Sequence, residues 1–265
     1  MAQSRHCNRV QQEALQHGLS AILDFYCLHF RIYRHGAPAM SAPGGSTLKE
    51  APPEAENAAP APKKRSGAAP ETWFPAPVWA RRVPDHERIN THILSIMDEL
   101  ERSGHAIKRS NVGGWHSAAN LHANDDLGEI RRIIGGACAG CATHLSFDFD
   151  RFELLFQEMW LNKNGPGDFN KAHVHPNSML SGAYYAKVPP QSGNIEFYDP
   201  VRERVMSTFP VRERTRSNVQ AMEYIGREGL LLIFPGWLQH SVQPNRSEEF
   251  RVSISFNMGF RRKGA

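Results

Sequence analysis

Cysteine is scarce in this chain, with four residues in 265, too few and too unevenly placed for a disulfide framework in a protein of this size. Long hydrophobic runs are also missing. The stretch from Leu19 to Ile32 is interrupted by Asp24, His29 and Arg31, which are costly in hydrocarbon, and it is too short to span a bilayer. No positively flanked apolar signal segment opens the sequence. Neither sign of charge dominates: 31 basic residues are spread among 27 acidic ones for a net +4, so a nucleic-acid partner is not demanded. These absences lead us to expect a reducing, cytoplasmic setting and no membrane association.

Large aliphatics are nearly absent from residues 37–72, where only Met40 and Leu48 interrupt an Ala-, Pro-, Gly- and Ser-rich segment holding seven of the chain's 18 prolines. Such a segment buries too little apolar surface to offset its ordering entropy and reads as a disordered Ala/Pro-rich linker. Lys63-Lys64-Arg65 within it is too short for a polyanion-binding cluster and reads as solvated charge. Ahead of it, residues 1–36 form an N-terminal segment whose Leu15, Leu19, Ile22 and Tyr26 recur at helical spacing, weakened by Gly18. Met40 offers an alternative start, which would leave residues 1–39 outside the functional protein.

Residues 73–262 carry the patterns of a folded domain. Asp85 is placed to cap a helix with an apolar face of Ile89, Ile93, Met97 and Leu100, ended by Gly104, and a second helix is expected over Asp125 to Ile134. Beyond Phe152 the pattern changes. Phe152–Leu161, Ser181–Val188, Asn194–Tyr198, Gln220–Ile225, Gly229–Phe234 and Arg251–Met258 are short β-type runs separated by Pro, Gly and Asn turns. Many short strands without intervening helices indicate a mainly β fold, a sandwich or jelly roll, with the N-terminal helices packed outside it.

Histidines supply the chemistry. His173 and His175 flank one residue, and side chains two apart on a strand share a face, so the pair is arranged to hold one ion. His240 follows the buried-strand pattern Gly229 to Phe234 and the Pro235-Gly236 turn, where it faces back toward the same barrel. Cys138 and Cys141, with His144 nearby, have zinc-like spacing but no second cysteine pair, and read as structural thiols. The Arg-Glu-Arg runs at 202–204 and 212–214 read as solvated surface.

Taken with Asn111-Val-Gly-Gly-Trp115-His-Ser117, the runs His173-Val-His175-Pro-Asn-Ser178, Gly193-Asn-Ile-Glu-Phe-Tyr-Asp199-Pro200, Phe234-Pro-Gly-Trp-Leu-Gln-His240 and Arg251-Val-Ser253 resemble the 2-oxoglutarate/iron(II) oxygenases over about residues 73–260. The resemblance implies a double-stranded β-helix, cupin-like in build, with Fe(II) as metal and 2-oxoglutarate as cosubstrate. It implies His173 and His240 as ligands and Arg251 as the residue that binds the far carboxylate of 2-oxoglutarate, a task its bidentate fork suits. Ser253, Tyr185 or Tyr184, and Ser181 are the candidates to complete that cradle. Trp115, Trp237 and Asp199 are candidates for the substrate side.

The chain departs from the usual His-x-acid pattern by placing His175 where most relatives have a carboxylate. Either His175 is the third ligand, or it supports the site while Glu196 or Asp199 supplies a carboxylate from another strand. The implied activity is that of a dioxygenase, foremost a hydroxylase, using O2 on a small-molecule or side-chain substrate with release of succinate and CO2. Two other readings stand beside it: a cupin-like three-histidine metalloenzyme that does not use 2-oxoglutarate, and a non-catalytic jelly-roll binding module. A homo-oligomer is compatible with any of them.

Overall fold

An unbroken apolar run becomes a strand only where both its faces are covered, and Leu230–Pro235 shows how that is met. Leu231 and Ile233 face a core shared with two helices, while Leu232 and Phe234 face a second cluster between two sheets. The structure, a computed structural model, describes residues 73–104, 111–206 and 208–264. The expected N-terminal segment and linker, residues 1–36 and 37–72, lie outside them.

In chain order the elements are β1 (Trp79–Arg82), α1 (His86–Arg102), β2 (Asn111–Val112), β3 (Trp115–His116), two short 3-10 turns, α2 (Gly128–His144), β4 (Phe152–Asn164), β5 (Phe169–His173), β6 (Leu180–Lys187), β7 (Ile195–Tyr198), a 3-10 turn (Arg202–Met206), β8 (Ala221–Tyr224), β9 (Leu230–Pro235), β10 (His240–Val242) and β11 (Arg251–Arg262). One sheet has the order β1-β9-β6-β11-β4-β3 and the other β2-β5-β10-β7-β8, with antiparallel pairing between neighbouring strands. Two antiparallel sheets between which the strands alternate from β4 to β7 and again from β8 to β11 form the double-stranded β-helix, the expected fold.

The helices cover the outer face of the six-stranded sheet. Ile89, Ile93, Ile96 and Met97 of α1 join Ile130, Ile134 and Cys138 of α2 against Met159, Leu161, Ile254 and Phe256. Burial of each large aliphatic contributes about 1.5–3 kcal/mol, so this layer is a principal source of stability. Tyr184 ties α1 down further by donating its phenolic hydrogen to Asn90 Oδ1 at 2.6 Å. Cys138 and Cys141 are buried free thiols in this helical layer, held far toward the protonated form by burial.

Three local expectations change. Asp85 precedes α1, but its backbone is left-handed (φ 51°) and its side chain makes no capping bond. The second helix begins at Gly128 and runs on to His144, with a 3-10 turn over Asp125–Leu127 ahead of it. There Asn124, rather than an aspartate, accepts a bond at the turn's start, from the Asp126 N–H. The short strands β5 and β10 were not apparent as β-type runs, and both belong to the site.

Candidate metal centre

β10 lies between β5 and β7, and its first residue, His240, sits opposite His173 on one side and Phe197 on the other. This register brings two histidines that are 67 positions apart in sequence onto neighbouring strands. His175 reaches them differently. β5 ends at His173, so His175 is not on the strand as its spacing suggested; it stands two residues beyond, at the start of a turn. Its N–H donates to Gly236 O at 2.8 Å, and the Ser178 N–H donates back to His175 O at 3.3 Å. Asn177 takes the left-handed conformation (φ 64°) that the turn needs, which asparagine tolerates better than most residues.

Gly236 makes this approach feasible. A Cβ there would stand 2.9 Å from His175 O and closer still to Ser178 O. The Pro235-Gly236 turn that precedes His240 and the turn that carries His175 are thus pressed together, backbone on backbone.

The ring centroids are 4.4 Å apart for His173–His240, 5.0 Å for His173–His175 and 5.2 Å for His175–His240. One ligand nitrogen from each lies within 4.8 Å of the others. Two of the rings have a defined tautomer: His173 Nδ1 is 2.7 Å from Lys171 O and His240 Nδ1 is 2.9 Å from Leu238 O. A carbonyl only accepts, so each Nδ1 carries its proton and each Nε2 presents a lone pair. Burial, reinforced by the neighbouring His173, pushes His240 down to about 3, and burial lowers His173 as well. Neutral imidazoles are what a metal requires.

The alternative carboxylates stand elsewhere. Glu196 pairs with Ser241, one step out of phase with the Phe197–His240 pair, so it projects to the opposite face, where it accepts from the Tyr198 hydroxyl at 2.8 Å. Asp199 is engaged by Arg204 at 3.1 Å and by the Val201 N–H. Among the described residues the cluster holds three histidines and no carboxylate.

A cavity of about 590 Å³ opens between the sheets, lined by all three histidines together with Tyr185, Arg251 and Ser253. Arg251 is 2% exposed. It donates to Ser192 O at 2.6 Å, Gly193 O at 3.0 Å and Asn164 Oδ1 at 3.1 Å. These are neutral acceptors, and among the described residues no carboxylate forms an ion pair with it. Burial lowers its pKa from the usual arginine value and raises that of the Tyr185 phenol, but a guanidinium remains protonated at any physiological pH.

Of the expected cradle, Tyr185 and Ser253 line the cavity, whereas Tyr184 faces α1. Ser181 is fully buried and donates to Asn257 Oδ1 at 2.8 Å. The residues assigned to the substrate side fall outside the lining: Trp115 packs on the helical core, Trp237 is 53% exposed, and Asp199 pairs with Arg204. His116, next to Trp115, lines the cavity instead and stacks on Trp160 with centroids 5.3 Å apart. Sequence reasoning missed Glu158, Asn162, Asn164, Ser255 and Asn257, all in the lining. Their signal was present: Glu158, Trp160, Asn162 and Asn164 alternate with the buried Met159 and Leu161, a period-two pattern with one polar and one apolar face.

Residues 158–257 match the family model described as "Putative 2OG-Fe(II) oxygenase", a span that includes the three histidines, Tyr185 and Arg251. The match bears out the resemblance read from the sequence. No curated protein matches the chain. Among solved structures, the non-heme alpha ketoglutarate dependent epimerase SnoN from nogalamycin biosynthesis aligns over 69% of this chain and 77% of its own at 13% identity, with a TM-score of 0.51. SnoN in complex with Fe3+, alpha ketoglutarate and nogalamycin RO aligns over 69% and 79% at 12% identity, also with a TM-score of 0.51. A Pseudomonas putida prolyl-4-hydroxylase aligns over 71% of this chain and 94% of its own at 14% identity, with a TM-score of 0.47. At these identities the likeness is one of fold.

Proposed function

We propose that this chain works as a member of the class its residues 158–257 match, a 2-oxoglutarate- and iron(II)-dependent oxygenase that oxidises a small-molecule or side-chain substrate with O2, hydroxylation foremost. The observation that carries this reading is Arg251, a buried cation without a carboxylate partner among the described residues, in the wall of the cavity that also holds the histidine cluster. Burying an unpaired charge is costly. A dicarboxylate cosubstrate whose far carboxylate met Arg251 would offset that cost with a charge-assisted fork, in the same cavity that the three histidines line.

The donor set fits the metal. His173, His175 and His240 would hold iron(II), and three imidazoles leave coordination positions for a chelating keto acid and for oxygen. When bound, iron(II) supplies the redox chemistry that couples decarboxylation of 2-oxoglutarate, to succinate and CO2, to oxidation of the second substrate. The protein's part is positional. Lys171 O and Leu238 O engage Nδ1 of the two rings and leave each Nε2 lone pair to hold the ion that would bind there, Tyr185 and Ser253 add hydroxyls to the wall that holds Arg251, and Phe234 and Ile195 keep part of the wall dry. Among the described residues no helix is long and apolar enough to cross a membrane.

Anaerobic absorbance tests the proposal. Metal-stripped protein should show a visible charge-transfer band only after both iron(II) and 2-oxoglutarate are added. Arg251→Ala, checked for folding by circular dichroism, should need about ten- to a hundredfold more 2-oxoglutarate to form it. One observation favours a second reading: an all-histidine cluster without a carboxylate also suits a cupin-like enzyme that does not use 2-oxoglutarate. That reading takes over if iron binds and 2-oxoglutarate changes nothing at saturation. Failure to bind any metal would leave a non-catalytic binding module.

A further inference from the structure

The three acceptors on Arg251 do more than satisfy it; they decide which of its donors remain for a ligand. Nη1 donates to Ser192 O and Gly193 O, and Nη2 donates to Asn164 Oδ1. Among the described residues this leaves Nε–H and the second Nη2 hydrogen without an acceptor, a pair on adjacent nitrogens that matches the two oxygens of one carboxylate. The acceptors come from two segments remote in sequence. Asn164 ends β4 and pairs with Arg251 in the β4–β11 ladder, whereas Ser192 and Gly193 lie in the connection from β6 to β7.

One turn, residues 243–247 between β10 and β11, grips both segments. On one side the Gln243 N–H donates to Asn194 O and the Arg246 N–H to Gln191 O, each at 2.9 Å, so Ser192 and Gly193 are bracketed by clamped neighbours. On the other side stands Asn245, 1% exposed. Its N–H donates to Asp168 O at 3.0 Å, and its carbonyl accepts from the Gly167 N–H at 2.7 Å. Its side-chain Nδ2 donates to Asn164 O at 2.9 Å and to Glu249 O at 2.7 Å, while Oδ1 accepts from the Ser247 N–H at 2.9 Å. Carbonyls only accept and a backbone N–H only donates, so the orientation of this amide is fixed. The Ser247 bond is the local one that favours asparagine in turns. The two Nδ2 bonds are long-range in effect: they tie the end of β4, which carries Asn164, to the chain two residues before Arg251. Asn245 itself is absent from the cavity lining.

We propose that Asn245 is the positioning residue of Arg251: without touching the cosubstrate, its side-chain amide keeps Asn164 and the start of β11 at the spacing that holds the guanidinium on its three acceptors and leaves the Nε and Nη2 pair for a carboxylate. The proposal rests on the reading of Arg251 as the anchor of the cosubstrate's far carboxylate. Two substitutions separate the long-range bonds from the local turn. In Asn245→Ser a hydroxyl can still accept from the Ser247 N–H, but it is too short to donate to Asn164 O and Glu249 O together. Asn245→Asp keeps the shape and the Ser247 bond and turns the atom facing the two carbonyls from donor to acceptor. In both, the guanidinium keeps its charge and loses its setting, so the carboxylate loses one of its two contacts.

The test titrates iron(II)-loaded full-length protein, under nitrogen, with 2-oxoglutarate and with 2-oxobutyrate, which has the same keto-acid end and no far carboxylate. Wild type should reach half of its charge-transfer band at about ten- to a hundredfold less 2-oxoglutarate than 2-oxobutyrate. Asn245→Ser and Asn245→Asp should need about tenfold more 2-oxoglutarate than wild type, the loss expected of one charge-assisted contact, with the requirements for 2-oxobutyrate and for iron(II) within twofold. Placed in Arg251→Ala, either substitution should add no further loss, because residues that act through one contact are not additive. Tyr184→Phe, which removes a buried bond to α1, controls for lost stability and should leave the ratio between the two keto acids unchanged. An unchanged ratio in both Asn245 variants, an equal loss for both keto acids, or a further loss on top of Arg251→Ala would each overturn the proposal. So would failure of both variants to reach the wild-type circular dichroism spectrum, which would make Asn245 a residue of the fold alone. The oxygenase reading is judged on the wild type: no band with 2-oxoglutarate, or no preference for it over 2-oxobutyrate, would overturn that reading and this proposal with it.

Discussion

Gly236→Ala isolates the contribution of one backbone approach to the metal site. The added methyl would stand 2.9 Å from His175 O and from Ser178 Cβ, and closer still to Ser178 O, where ordinary contact begins near 3.4 Å. The neighbours at 2.9 Å must retreat by about half an ångström, and the segment from His175 to Ser178 moves with them, because it is hydrogen-bonded to Gly236 through the His175 N–H. Overpacking of this kind costs about 1–3 kcal/mol of stability. A ligand displaced from two partners that stay anchored should also lose metal affinity by about ten- to a hundredfold, the range seen when the supports of a ligand are disturbed. Gly229→Ala is the control: it is equally crowded, with a left-handed φ of 77° and a Cβ that would press on His86, but it has no contact with the histidine cluster. Urea denaturation of the metal-free proteins should show both variants destabilised, whereas iron(II) titration under nitrogen, in competition with a coloured chelator, should show weakened binding for Gly236→Ala only. If Gly236→Ala binds iron as the wild type does while losing stability, His175 is not held to the site by this contact and the reasoning fails.

Three further outcomes follow from the same geometry. In the metal-free protein, His240 has its pKa depressed to about 3 against 6.5 in the unfolded chain, so the unfolded state takes up the proton first; stability is fully present above pH 6.5 and should fall by about 1.4 kcal/mol per pH unit below it, seen as urea midpoints that drop between pH 6.5 and 4.5, and a midpoint flat over that range would contradict the buried neutral ring. Tyr184→Phe leaves Asn90 Oδ1 without its buried donor and should cost about 1–3 kcal/mol, with iron and 2-oxoglutarate titrations unchanged. Metal binding selects the folded state, so iron(II) at a hundred times its dissociation constant should stabilise the protein by about 2.7 kcal/mol in anaerobic melts, and His173→Ala should abolish that rise.

The strands that proved easiest to read from sequence were those buried on both faces. Leu230–Pro235 is a nearly continuous apolar run because one side meets the helices and the other the second sheet, whereas Arg251–Met258 alternates, with Val252, Ile254, Phe256 and Met258 in the helix-side core and Arg251, Ser253, Ser255 and Asn257 lining the cavity. β5 gave no such signal: Phe169-Asn-Lys-Ala-His173 has one large apolar residue and lies in the five-stranded sheet, away from the helical layer. The histidines were legible by type, and Arg251 by its distance from His240. The location of His175 was not, because spacing cannot tell where a strand ends, and β5 stops two residues short of it. Glu158 was hidden inside a run taken as core strand, where Met159 and Leu161 set the impression and the polar partners on the alternate face went unweighted. Ser181 was legible as a polar residue facing inward, but which group it meets depends on the β6–β11 register that sets it opposite Asn257, and that register is a long-range property.

The anchors of His173 and His240 are main-chain oxygens, each two residues back along the same chain. A side-chain anchor can be deleted by a single codon change, whereas a carbonyl is present whatever amino acid occupies the position. The exposed residue 171 is therefore free to drift without releasing the His173 ring, whereas Leu238 is constrained by its own burial in the core between the sheets and not by its role as anchor; the orientation of both imidazoles is inherited with the strand path itself. Mutational scanning should find position 171 tolerant beside an intolerant His173, and position 238 tolerant only of apolar residues that fill the same core space.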